Sequence, residues 1–196
     1  MTPRVTPTRR CEVAHRTPVL RVRLQAFTLV ELLLSLTLVG ILLATAAPNV
    51  RAFLAAVELR ERSEALMRAM SLARSEAVKR GTRVDVCPTT DRAHCASTAT
   101  WDAGWLTFVN ESKAAQPSSD AAILNRERAA RTGISITGNR PVADYISFTS
   151  IGHARRHDGA LQMGTLTVCR RGQSAQKIVL ANSGRVRLDV TAEACP

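Results

Sequence analysis

Much of the usual chemical equipment of enzymes is missing from this 196-residue chain. No serine stands in a nucleophile elbow, and no glycine-rich phosphate cradle or Walker sequence occurs. The one pair of histidines at metal-binding spacing, His153 and His157, lacks the glutamate of HExxH. It is also bracketed by Gly152 and Asp158-Gly159, which favour a loop. His15 and His94 are isolated. Aromatic residues make up only 4% of the chain and are absent after Phe148, so a base-stacking platform in the last quarter is excluded. Internal repeats and a composition break that would mark a second globular domain are also absent. Catalysis is therefore not expected, and neither is a resident cofactor or metal.

One long apolar run stands out. Residues 27–50 (FTLVELLLSLTLVGILLATAAPNV) carry a single charge, Glu31, and follow a segment with six arginines. As a helix the 24 residues would span about 36 Å, enough to cross a hydrocarbon core of roughly 30 Å. A lone carboxylate in such a segment is costly and calls for a partner. An ordinary signal peptide, with a cleavage site such as Ala44-Thr45-Ala46, fits less well, because its apolar region is usually shorter and free of acid. A plain signal anchor, held by its arginines on the cytoplasmic side, leaves the acid unexplained.

The sequence Ala26-Phe27-Thr28-Leu29-Val30-Glu31 resembles the start of the type IV pilins and their pseudopilin relatives. The resemblance implies that a prepilin peptidase cuts between Ala26 and Phe27 and methylates the new amino terminus. It also implies that Glu31 faces the amine of a neighbouring subunit during filament assembly. Attraction between a carboxylate and an ammonium is strong in a low-dielectric bundle, and either one left alone is penalised. The family usually has glycine before the cut. Alanine is the smallest alternative, so cleavage is still expected at Ala26, if more slowly. Removal of residues 1–26 lowers the basic residues from 27 to 21 and the acids from 16 to 15, and the net charge from +11 to +6. Much of the basicity is then topological, not a nucleic-acid footprint.

Cysteine usage fits an oxidising compartment such as a periplasm. Cys11 lies in the leader, leaving Cys87, Cys95, Cys169 and Cys195, which allow three pairings. Cys87–Cys95 and Cys169–Cys195 are favoured because each closes a nearby loop, worth roughly 2.5 and 3.5 kcal/mol by loop entropy. A metal site at Cys87, His94 and Cys95 lacks the paired short spacings of structural zinc.

Beyond residue 50 the helical period continues. Leu59, Leu66, Met70, Ala73 and Ala77 share one stripe, Arg60, Glu61, Arg62, Glu64 and Arg68 are assigned to other faces, and Gly81 ends the helix. Pro48 is expected to bend it. Alternation then predicts strands at 83–87, 105–109, 134–136, 145–148, 165–169, 177–180 and 185–188, with 111–121 an exposed loop. Trp101 and Trp105 read as core anchors, and Met67 and Met70 as packing residues. The expected fold is α+β, one long helix against antiparallel sheets, the type IV pilin-like arrangement. Three regions follow: a cytoplasmic leader (1–26), a membrane-spanning or filament-core half-helix (27–50) and a globular domain (51–196).

The helix end 72–80 (LARSEAVKR), Trp101-Asp102-Ala103-Gly104-Trp105 and Gly184-Arg185-Val186-Arg187 are similar to the GspH/FimT family of minor pilins and pseudopilins. This resemblance implies an inner-membrane, single-pass subunit with its domain in the periplasm or on the filament exterior, and other pilins or pseudopilins as partners. Some FimT members bind DNA through G-R-x-R. Carried over, that motif places contact with double-stranded DNA on Arg185 and Arg187, two residues apart and so on one face of a strand. Adjacent guanidiniums suit adjacent phosphates, and such binding would be sequence-tolerant and salt-sensitive. The alternatives are a purely structural H pseudopilin and, more distantly, a secreted periplasmic enzyme with an ordinary signal peptide. Amino-terminal sequencing of the processed chain should return Phe27 as its first residue. Glu31→Ala should insert normally into the membrane yet enter filaments poorly, as read by its share of sheared filament.

Overall fold

The computed structural model describes residues 28–97, 100–131 and 133–195. Ala26 and Phe27, and with them the cleavage site, lie outside the described residues. Two compact units are distinguished, one ending at Ala44 and the other running from Thr45.

Within the first unit, helix α1 (Leu29–Arg80) begins on a hydroxyl cap: the Glu31 backbone N–H donates to Thr28 Oγ1 at 3.2 Å. Leu32, Leu36, Val39 and Leu43 are each at least half exposed. Ser35 and Thr37 turn their hydroxyls back onto the carbonyls of Leu32 and Leu34, so these two hydroxyls are satisfied within the helix. This is the pattern of a helix whose solvent is lipid or other helices.

In the second unit the same helix is a half-buried support. Leu59, Leu66, Met70, Ala73 and Ala77 are at most 1% exposed, and they meet both sheets in one core. The helix ends in a Schellman arrangement. Gly81, at φ 65°, donates to Val78 and Thr82 donates to Ala77, so the last carbonyls are satisfied without side chains.

Two four-stranded antiparallel sheets follow. The first has the order β3 (Ile123–Glu127), β2 (Trp105–Val109), β1 (Val84–Pro88), β5 (Ile146–Phe148). The second has the order β4 (Ile134–Gly138), β6 (Gly164–Arg170), β7 (Ser174–Leu180), β8 (Val186–Ala194). Seven of these strands coincide with the alternating segments of the sequence. The eighth, β3 (ILNRE), does not alternate; it is an edge strand held by its ladder to β2, with all five residues half-buried. Periodicity reports a buried face, and β3 has none of its own.

β1 is buried on both faces. Val84 and Val86 enter the main core, while Cys87 joins Leu106 and Phe108 in a smaller cluster. That second face is closed by the 89–97 loop, held by the Cys87–Cys95 bridge. Gln116 clamps the same loop, accepting from the Cys95 N–H and donating to its carbonyl. The Cys169–Cys195 bridge joins the end of β6 to the residue following β8.

Arg62 departs from the sequence reading, which put it on a solvated face. Its position between Leu59 and Leu66 turns it onto the core stripe, where its guanidinium lies 4.1 Å above the Trp105 ring. It donates to Glu127 at 3.2 Å and to the Arg128 carbonyl at 2.5 Å. Burial lowers its pKa from the usual guanidinium range, against the pull of Glu127. An arginine is tolerated there because carboxylate and carbonyl replace water at its two Nη atoms and the ring covers its face. Its Nε has no hydrogen-bond partner among the described residues.

The two parts of α1 should therefore respond oppositely to one substitution. In detergent-solubilised full chain, Leu66→Ala should cost about 2–5 kcal/mol of domain stability in a denaturant titration, by analogy with buried leucines elsewhere. Leu36→Ala should leave the same transition within about 0.5 kcal/mol.

Candidate functional site

The Gly184-Arg185-Val186-Arg187 segment closes the β7–β8 hairpin. Gly184 N–H donates to the Ala181 carbonyl and Ala181 N–H to the Arg185 carbonyl, both at 2.9 Å, making a tight loop before β8 starts at Val186. Gly184 has φ 78°, a conformation that costs an L-residue roughly 1–2 kcal/mol. A side chain there would also collide with the Gly152 carbonyl oxygen of the neighbouring 149–152 turn. The glycine is thus required for two turns to touch.

Arg74, near the end of α1, fastens both turns. Its Nε donates to the Gly152 carbonyl at 3.0 Å and its Nη2 to the Ser183 carbonyl at 3.2 Å. The sequence offered no signal for this role, because the partners are backbone carbonyls 78 and 109 residues away. The result is a fixed platform under Arg185. Beside it runs an open groove of roughly 540 Å³, lined by Ser71, Arg74, Ser75, Val78, Lys79, Gly184, Arg185 and Val186. Three of these residues are cationic and none is acidic.

Arg185 and Arg187 are both exposed, with half-buried Val186 between them packed toward the core. Their circumstances differ. Arg187 lies 3.1 Å from the Asp189 carboxylate, whereas Arg185 makes no side-chain bond among the described residues. Arg155 adjoins this end of the sheet, reaching the Asn182 carbonyl at 3.5 Å. Arg170 does not. It stands at the far end of β6, about 20 Å from the residues that pair with the hairpin mouth, and pairs with Glu58. The Glu58 carboxylate also accepts from Arg131 at 2.8 Å and titrates below the ordinary glutamate range, chiefly through its Arg170 bond.

The remaining candidates are placed as follows. Cys87 and Cys95 are bonded to each other, so neither sulfur is free for a metal, and His94 pairs with Asp91 at 2.7 Å. Bonds from His94 hold the Asp91 carboxyl far below the usual range. Trp101 and Trp105 are buried, and Trp101 donates to the Ala143 carbonyl at 2.8 Å. His153 and His157 lie in a loop. His157 meets buried Asp85 at 2.6 Å and stacks on Tyr145, an association between residues 72 apart that no local pattern announces. The Glu31 carboxylate has no ion-pair partner among the described residues, and the apolar side chains around it are exposed.

Gly184 and Arg185 should separate cleanly by substitution. Gly184→Ala should lower domain stability by about 2 kcal/mol or more in denaturant, from its φ and the carbonyl clash. Arg185→Ala should stay within about 0.5 kcal/mol.

Residues 62–184 match the family described as Type II transport protein GspH, and residues 23–47 match the prokaryotic N-terminal methylation motif. No curated protein matches the chain. Among solved structures, the type IV minor pilin FimU of Pseudomonas aeruginosa is similar at 20% identity and TM-score 0.54, covering 74% of this chain and 99% of FimU. A second crystal form of FimU gives 19% and 0.51, over 70% and 99%. The minor pseudopilin EpsH from the Type 2 Secretion System of Vibrio cholerae follows at 13% and 0.48, over 69% and 99%. The likeness to FimU, at 20% identity or below, is one of fold. With its methylation motif, apolar amino-terminal helix and two-sheet domain, the chain belongs to the GspH family of minor pilins and pseudopilins.

Proposed function

We propose that this chain is a minor subunit of a type IV pilus or type II secretion pseudopilus that contacts double-stranded DNA through Arg185. The leader 1–26 is removed by a prepilin peptidase, residues 27–50 pass from the inner membrane into the filament core, and the domain 51–196 faces the periplasm or the filament exterior. Glu31 pairs with the amino terminus of a neighbouring subunit. The exposed apolar side chains of Leu32 to Leu43 are what such a bundle would bury.

The observation that carries DNA contact is an unpaired, exposed arginine on a rigid turn, beside a groove lined by Arg74 and Lys79 and by no acid. Guanidinium suits phosphate, and a fixed backbone lowers the ordering cost of binding. Arg187 must first leave Asp189, so it contributes less than Arg185. No aromatic ring lines the groove, which favours phosphate contact over base reading.

A purely structural subunit is the second reading. The requirement for Gly184 is met by packing alone, and the Arg187–Asp189 pair is what a solvated hairpin face would carry.

Anisotropy of labelled duplex with the detergent-solubilised full chain, across a salt series, decides between them. The first reading expects log K to fall with log salt at a slope of about −2 to −3, for two or three phosphate contacts. Arg185→Ala should weaken binding more than Arg187→Ala. Absent binding by the folded, oxidised chain leaves the structural subunit.

A further inference from the structure

At the opposite end of the domain from Arg185, a second set of arginines surrounds the place where α1 leaves its apolar run. The run ends at Val50, within the same compact unit as the sheets. The β6–β7 turn is tied to that point, since Gln173 donates its side-chain amide to the Ala52 carbonyl at 3.3 Å. Arg171, in the same turn, and Arg51, on the helix, are exposed and make no side-chain bond among the described residues. Arg170 and Arg131 converge on Glu58.

We infer that this collar of Arg51, Arg131, Arg170 and Arg171 is a docking surface for anionic phospholipid headgroups, holding the domain against the membrane before the subunit enters a filament. The inference rests on the reading of residues 27–50 as a membrane span. Ala52 lies only about 3 Å along the helix from Val50, and Glu58 about 12 Å. A headgroup layer extends roughly 5–7 Å beyond the hydrocarbon. With the hydrocarbon edge at Val50, the turn and Arg51 would fall within that layer. Arg131 and Arg170 sit just outside it, within a Debye length of about 8 Å.

Around the four arginines, Glu58 lies between Arg131 and Arg170, the pocket beside them also holds Glu61, Arg68 and the Arg62–Glu127 pair, and Glu193 is matched by Lys177. Positive residues flanking a span are ordinarily kept on the cytoplasmic side, so arginines at the distal exit need another explanation. Lipid phosphate supplies one, because a guanidinium binds it with paired hydrogen bonds.

The test is hydrogen exchange of the full chain in lipid nanodiscs, either all phosphatidylcholine or enriched in phosphatidylglycerol. In the anionic discs, amides of the Arg171–Gln173 turn should exchange more slowly by about fivefold for each arginine engaged. High salt, or Arg51→Gln with Arg171→Gln, should remove the slowing, while β7 amides stay protected and show that the variant is folded. Equal exchange in both discs overturns the collar, as does slowing that survives the double variant. Inorganic phosphate giving the same protection in zwitterionic discs would overturn the lipid assignment. A chain that enters neither disc overturns the membrane span, and the collar with it.

Discussion

The domain depends on one strip of helix. Leu59, Leu66, Met70, Ala73 and Ala77 share one core with Trp101 and with strand residues of both sheets, among them Val84, Val86, Ile146 and Phe148 of the first and Ile136, Leu166, Val168 and Ile178 of the second. Each sheet turns apolar side chains into this core and needs a partner layer to bury them. The helix supplies that layer to both at once. Small residues at 69, 73 and 77 let the backbone approach closely, while Leu59, Leu66 and Met70 provide the bulk. Arg62 belongs to the same strip because Trp105 and Glu127 complete its environment.

One helix thus serves two solvents. From residue 29 to 43 the apolar side chains point in every direction and remain exposed, which suits lipid or a bundle of like helices. From 59 to 77 only one face is apolar, and the others carry pairs such as Arg60–Glu64 and Glu76–Arg80. The change from all-round to one-sided apolarity falls between residues 43 and 59. The Glu58 triad lies near the end of that interval and joins helix, β6 and the segment before β4.

The turn at 181–185 shows how a short motif divides between structure and contact. Gly184 is fixed by the neighbouring backbone, Arg187 is held by Asp189, and Arg185 remains free toward solvent. Arg74 links these features to the helix that would lie in a filament. Both turns are therefore tied to α1 by hydrogen bonds from one side chain.

The sequence alone determined the apolar helix, its acid, its stop at Gly81 and seven of the strands, because each is a local pattern of period 3.6 or 2 or a residue with special backbone freedom. Nearby loop closure also favoured the disulfide partners that the structure joins. Tertiary structure decided the rest. Strand β3 has no alternation of its own and exists through its neighbour. Arg62 is buried because a tryptophan 43 residues away receives it. The Asp85–His157 pair, the role of Arg74 and the separation of Arg170 from Arg185 all join or divide residues distant in the chain. Local periodicity records which face of an element is apolar. It holds no information about which distant backbone carbonyl, ring or carboxylate will meet a given charge.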